Sequence, residues 1–311
     1  MSNFESPIEH GYLLLADISG YTSFLMQTEL DHAHQILAEL LEAVLQRLRT
    51  LLTIHKIEGD AIFAYAPEAR IVRGETLLEL VEAAYTDFRE RQENIRRQTT
   101  CTCKACRSIP MLDLKFMAHH GDYVIQDIGG VREMAGSDVN LVHRLLKNHV
   151  SEMTGWRAYA LFTRQSLEHM GVKPEGLTES VESYEHLGEV PVCVMDMHAR
   201  YDELMQARRV IVEPAEALLS FSDDIDAPAP VVWSWMNDPE KRSLYSPDQT
   251  FRKFVPVLLP GGRTRPGAVT HCVHGKDVAM RERVLDWKPF DYFTVEQENH
   301  PMGLIQVTFQ L

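Results

Sequence analysis

Residues 12–22 read Tyr12-Leu13-Leu14-Leu15-Ala16-Asp17-Ile18-Ser19-Gly20-Tyr21-Thr22. A run of apolar strand formers stops at a carboxylate, and Ser-Gly then turns the chain into a helical pattern. A carboxylate at the end of a buried strand is costly unless a cation, a cluster of backbone amides or a metal neutralises it. Taken alone, Asp17 could as well cap the helix that follows. A second acidic residue stands in a related place. In Lys56-Ile57-Glu58-Gly59-Asp60-Ala61-Ile62-Phe63-Ala64-Tyr65, Gly-Asp separates two short apolar stretches, the pattern of a hairpin turn. Two carboxylates delivered by two strand ends are what a pair of oxygen-ligated divalent ions requires.

Outward from this pair, Ala33, Leu37, Leu40, Leu41, Val44, Leu48 and Leu51 recur at intervals of three and four and predict a long amphipathic helix. His32 and His34, near its start, read as solvated surface. Leu51–Ile57 and Ala61–Ala66 form the expected hairpin, and a second helix runs from about Glu75 to Arg97, its basic end suited to a helix C-terminus. Leu112–His119 reads as a strand, with Gly121 leading into a partner strand, Tyr123–Ile128, ended by Gly129-Gly130. Asp138–His149 is a helix with Val139, Val142, Leu145 and Leu146 facing the core. Trp156–Phe162 (strand), Arg164–Met170 (helix) and Ser180–Met197 (edge hairpin) follow. Helices interleave with antiparallel hairpins, so the class is α+β.

A charged seam ending in proline, Tyr201–Pro214, separates a second region from about residue 216 onward. There Leu218–Ile225 is expected to be a strand, and Asp226-Ala227-Pro228-Ala229-Pro230 to open a short helix carrying Trp233 and Trp235. Both tryptophans read as core residues. From Phe251 the pattern is mostly strands, and the sequence stops within one, at Val307-Thr308-Phe309-Gln310-Leu311, so this domain is expected to lack its closing elements.

Composition excludes some roles. The 311 residues are 45% hydrophobic and 24% charged, with a formal net charge of −14. That balance argues against general nucleic-acid binding, which rests on cationic contacts to phosphates. No apolar run approaches the ~20 residues of a membrane span, and a basic-then-apolar signal pattern is lacking at the N-terminus. Five cysteines, three of them in Cys101-Thr102-Cys103-Lys104-Ala105-Cys106, do not form a disulfide framework, which places the chain in the cytoplasm. Cys-x-Cys-x-x-Cys brings three thiolates close enough for one zinc ion, with His119, His120 or a cysteine of a dimer mate as fourth ligand; the alternative is three reduced thiols in an exposed loop.

With these residues laid out, the first 200 resemble the catalytic domain of class III nucleotidyl cyclases. Ala16-Asp17-Ile18-Ser19-Gly20-Tyr21-Thr22 looks like the family's first metal motif and Gly59-Asp60 like the second. Lys56 falls where adenylate cyclases carry a base-recognising lysine. Gly136-Ser137-Asp138-Val139-Asn140-Leu141-Val142-His143-Arg144 looks like the family's Gly-x-x-Val-Asn-x-x-x-Arg helix. The chain is also similar to an uncharacterised bacterial branch of this superfamily with the cysteine loop and a Leu-Leu-Lys-Asn sequence, here residues 145–148.

The resemblance implies a ferredoxin-like cyclase domain and two Mg²⁺ or Mn²⁺ ions at Asp17, Ile18 and Asp60. It implies base selection by Lys56 and Glu133, and action of Asn140 on the ribose and of Arg144 on the transition-state phosphate. The substrate is then a nucleoside triphosphate, ATP in the first place, at a site shared across a homodimer. Two departures stand out. Glu133 is longer than the family's usual residue there, and Leu187-Gly188-Glu189-Val190-Pro191-Val192 lacks the lysine that many members carry in the last hairpin. The alternative is therefore a cyclase fold that binds a nucleotide or another ligand without turnover. Residues 216–311 resemble, more loosely, the START-like helix-grip superfamily, which implies a cavity for a small apolar ligand.

Overall fold

The computed structural model describes residues 7–71, 73–99, 101–172, 176–206, 210–245, 252–275, 277–300 and 303–311. The chain divides into two compact units, one ending at Asp202 and the other beginning at Glu203.

The first unit is built on β1 (Ile8–Ser19). Its apolar run is buried without a break from Gly11 to Ala16 because the strand is flanked on both sides and covered on both faces. Helices α1 (Tyr21–Gln27) and α2 (Leu30–Arg49) follow, then the hairpin β2 (Thr53–Glu58) and β3 (Ala61–Pro67). Helix α3 (Glu75–Gln98) and the short α4 (Lys104–Ser108) lead to β4 (Asp113–Ile128). After β5 (Val131–Ala135) come α5 (Ser137–Arg144), α6 (Val150–Thr154), β6 (Tyr159–Thr163) and α7 (Arg164–Met170). The unit ends with β7 (Thr178–Tyr184), β8 (Gly188–Asp196) and the first part of α8 (Met197–Gln206), the helix in which the division falls.

The strand order is β2-β3-β1-β4-β6-β8-β7, with β5 paired to β4. The pairs β2–β3, β3–β1 and β1–β4 are antiparallel, and β4–β6 is parallel. The first four strands with their helices thus make the βαββαβ arrangement of a ferredoxin-like fold, within a mixed sheet. The fold class is α+β, as the sequence predicts. On one face Leu13, Leu15, Phe63, Tyr65 and Met117 pack against Val139 and Val142 of α5 and Tyr159 and Leu161 of β6. Alternation along the strand leaves Tyr12, Leu14, Ala16 and Ile18 for the other face.

Two elements differ from expectation here. Residues 112–128 are not a hairpin turned at Gly121; β4 is one sixteen-residue strand, and the turn comes at Gly129-Gly130 before β5. Gly121 serves a close approach instead. A Cβ on it would lie 2.4 Å from the Asp138 carboxyl carbon, so the missing side chain lets α5 seat its first turn against the strand. The predicted long helix at 138–149 ends at Arg144 and continues as a 3₁₀ turn over Leu145–Lys147.

In the second unit α9 (Ala229–Asn237) and α10 (Pro239–Tyr245) precede β9 (Arg252–Leu258), β10 (Val269–His274), β11 (Asp277–Lys288), β12 (Tyr292–His300) and β13 (Gly303–Gln310). These strands form an antiparallel sheet in sequence order. Trp233, fully buried, is its centre, with ring centroids 4.6 Å from Trp287 and 5.4 Å from Phe293. Trp235 is 43% exposed and lies under Lys241, which corrects its reading as a core residue. Leu218–Ile225 is not a strand: it pairs with no described strand, and Leu218 and Phe221 are exposed. A strand without a paired neighbour leaves its backbone groups to water and does not persist. Among the described residues no helix is long and apolar enough to cross a membrane.

Candidate functional site

Asp17 stands at the end of β1, in register with Ala61 of β3 on one side and Lys115 of β4 on the other. Gly20, at a φ of +87°, then turns the chain into α1, and a side chain there would strike the Met111 carbonyl oxygen. The β2–β3 turn brings Asp60 to the same end of the sheet, where its carbonyl accepts the Ile18 N–H at 3.4 Å. The two carboxyl groups are close enough for the charge of one to act on the other. Burial first, and the Asp17 charge second, push the Asp60 pKa up to about 6. Lys115 answers part of this acidity, with Nζ 3.0 Å from Asp17 Oδ2. The Ile18 side chain is buried and carries no ligand atom, so its part in metal binding would fall to its backbone carbonyl.

These residues fit divalent ions. The donors are hard oxygens, and the Asp60 carboxyl group gains proton affinity from burial and from the Asp17 charge, a strain that a dication relieves. Lys115 was not singled out in the sequence; its place opposite Asp17 depends on the β1–β4 register.

A second group forms on β2, β5 and α5. The register of β2 against β3 shifts between Ile54 and Lys56, and such a bulge re-aims the side chain beside it. Lys56 Nζ lies 2.7 Å from Glu58 Oε1. That bond, and more weakly the nearby Glu133 carboxylate, hold the Lys56 ammonium above its ordinary pKa. His143, its ring 4.8 Å from Phe63, has a pKa lowered by burial and feels the charges of Glu58 and Lys56. Asn140 and Arg144 are exposed on α5. No side-chain hydrogen bond or ion pair to a described residue engages Arg144. The structure therefore brings Asp17, Ile18 and Asp60 together, and brings Lys56 near Glu133 and His143. No hydrogen bond or ion pair among the described residues joins the two groups.

The cysteine segment packs against the junction of α1 and α2. His32 Nδ1 lies 3.3 Å from Cys103 Sγ, 3.6 Å from Cys101 Sγ and 3.8 Å from Cys106 Sγ. This corrects the reading of His32 as solvated surface. It also removes the two histidines named as fourth partners. His119 is buried with Nδ1 2.8 Å from Thr163 Oγ1, and His120 stacks on His169 at 3.5 Å.

Against known proteins, the family described as "Protein of unknown function (DUF2652)" matches residues 37–154. The chain is 37% identical over 114 residues to "Uncharacterized protein Rv2561/Rv2562" of Mycobacterium tuberculosis (strain ATCC 25618 / H37Rv). That match takes in 37% of this chain and 52% of the other, so the chain spans about half the length of the curated relative. Among solved structures it is similar to the adenylyl cyclase CyaB from P. aeruginosa, with a TM-score of 0.48 and 15% identity over 62% of this chain and 97% of that one. It is similar to the guanylyl cyclase Cya2 at 0.46 and 14%, over 61% and 92% of the two chains. A bacterial light-regulated adenylyl cyclase gives 0.47 and 12%, over 65% and 58%.

Proposed function

We propose that the chain is a cytoplasmic nucleotidyl cyclase that converts a nucleoside triphosphate, ATP in the first place, to a 3′,5′-cyclic nucleotide and pyrophosphate. The observation that carries this reading is the arrival of Asp17 and Asp60 at one end of the sheet, where the Asp60 carbonyl accepts the Ile18 N–H and the Asp17 charge acts on the Asp60 carboxyl group. In the reaction the ribose 3′-oxygen loses its proton and bonds to the α-phosphorus. The bond from that phosphorus to the bridging oxygen breaks, and pyrophosphate leaves. Two Mg²⁺ or Mn²⁺ ions held by Asp17, Ile18 and Asp60 would supply acidification of the hydroxyl and neutralisation of the leaving group.

The chain's own residues do the rest. Arg144 offers a planar cationic fork to the charge that builds on the α-phosphoryl oxygens. Asn140, one helical turn earlier, positions the ribose. Lys56 donates to, and Glu133 accepts from, the N1 and exocyclic amine edge of adenine. By the resemblance to class III nucleotidyl cyclases, these four residues serve the acidic pair of a second copy, in a site completed across a two-fold homodimer. The helix-grip reading of the second unit adds a module for a small apolar ligand.

A second reading has its own support. Lys115 already sits on Asp17, and the β7–β8 turn offers no lysine for terminal phosphates. Such a protein would bind the nucleotide and not turn it over. One experiment separates the two: incubate the pure chain with each of four nucleoside triphosphates and Mn²⁺ or Mg²⁺, and look for cyclic product by mass spectrometry. Product supports the cyclase. Saturable binding without product supports the sensor.

A further inference from the structure

We infer that His32, Cys101, Cys103 and Cys106 form a structural zinc site that clamps the start of α2 to the segment leading into β4. The four ligand atoms lie within 4.8 Å of one another. Zinc binds thiolate sulfur at ~2.3 Å and imidazole nitrogen at ~2.0–2.1 Å in a tetrahedron, which sets each S···N separation at about 3.5 Å. The distances from His32 Nδ1 to the three sulfurs are 3.3, 3.6 and 3.8 Å. Three sulfurs around one ring nitrogen at tetrahedral spacing have no purpose as hydrogen bonds, since a thiol is a weak donor and acceptor. They match the ligand edges of a closed Cys₃His centre.

The surroundings are those of a metal thiolate. Cys103 caps α4, and its Sγ accepts the Cys106 N–H at 3.4 Å. Thr99 Oγ1 donates to Cys106 Sγ at 3.6 Å. Donors aimed at the sulfurs spread the thiolate charge and orient the ligands. The segment is held between the second and third cysteines and again beyond the third. Glu29 accepts the Lys104 and Ala105 N–H groups, and the Gln92 amide donates to the Ile109 and Leu112 carbonyls. Soft sulfur with one imidazole and no open position selects zinc over magnesium or calcium.

The site would join α1 and α2, which follow Asp17, to the entry of β4, which carries Lys115. The inference stands apart from the cyclase reading, because its test reads metal content and not turnover. The full chain, purified without a histidine tag or chelator, should carry about one zinc per chain by elemental analysis. Replacing zinc with Co²⁺ should give the visible bands of tetrahedral cobalt and sulfur-to-cobalt charge transfer in the near ultraviolet. His32→Ala should keep its circular dichroism and lose zinc affinity at least as much as the loss of an outer-shell partner costs, about 10- to 100-fold, in a chelator competition. His32→Cys should retain the metal as a Cys₄ centre. Folded wild-type chain that takes up no zinc and whose three thiols all react freely would overturn the site. Unchanged zinc affinity in His32→Ala would overturn the fourth ligand.

Discussion

Mixing Asp17→Asn with Arg144→Ala tests the shared site directly. Asparagine keeps an acceptor for Lys115, which lies 3.0 Å from the native carboxylate, so the strand end holds while the charged ligand is lost. Arg144 is exposed and unpaired among the described residues, and truncating such a side chain changes stability by about 0.5 kcal/mol or less. Each variant alone should be folded and inactive, because every site of either homodimer lacks one of the two groups. In a heterodimer, one site carries both lesions and the other carries neither. Random exchange makes about half the dimers mixed, each with one good site of two, so the mixture should recover about a quarter of wild-type activity. The assay is cyclic product by mass spectrometry, with exchange followed by native mass spectrometry. A mixture that stays inactive although mixed dimers are seen refutes sharing, and substantial turnover in either parent refutes that residue's role.

Base choice is a separate matter: Lys56→Glu should weaken ATP use and admit GTP, and an unchanged preference between the two would reduce Lys56 to a partner of Glu58. His198 donates to the buried Asp113 carboxylate at 2.6 Å, and this bond raises its pKa. Its stabilisation is complete below the ordinary histidine pKa of about 6.5 and is lost as pH rises through the raised value. The difference in Tm between wild type and His198→Gln should therefore be largest near pH 6 and shrink toward alkaline pH; a difference that grows with pH would contradict the assignment. Gly121→Ala forces a Cβ into the Asp138 side chain, whose Oδ2 accepts the Asp122 N–H at 2.7 Å. Denaturant unfolding should show a loss of about 1–3 kcal/mol, as overpacking typically costs. In the second unit, Trp233→Ala should cost about 3–5 kcal/mol. Trp235→Ala, at a 43% exposed position, should cost within about 0.5 kcal/mol, and equal losses at the two would refute the burial pattern.

What the sequence shows and what it hides divide on a physical line. Asp17 and Asp60 are legible because each breaks a local pattern: a carboxylate ends a buried strand, or sits in a turn between apolar runs. The alternation of helices and hairpins in the first unit is legible for the same reason, since periodicity and turn chemistry are local. The ferredoxin-like order of its first four strands is non-local and comes only from the resemblance to class III nucleotidyl cyclases. Gly121 misleads because glycine has two uses, and nothing nearby distinguishes a turn from room left for a side chain seventeen positions on, Asp138. Leu218–Ile225 misleads because strand propensity counts only when a neighbour is there to pair with. Lys115 and His32 are hidden more deeply. Lys115 matters through a cross-strand register, and His32 through a contact spanning 69 to 74 residues. The cysteine spacing announces three ligands, yet a fourth can come from any element that packs against the loop. His119 and His120 are nearer to the cysteines in sequence, yet β4 carries both away from the loop, to Thr163 and to His169. The α1–α2 junction is what packs against α4, and Glu29 fixes that contact by accepting two α4 backbone N–H groups. A carboxylate placed to hold the loop three residues before the histidine is the one trace in the sequence that tied His32 to the cysteines, and it acquires that meaning only when the chain is folded.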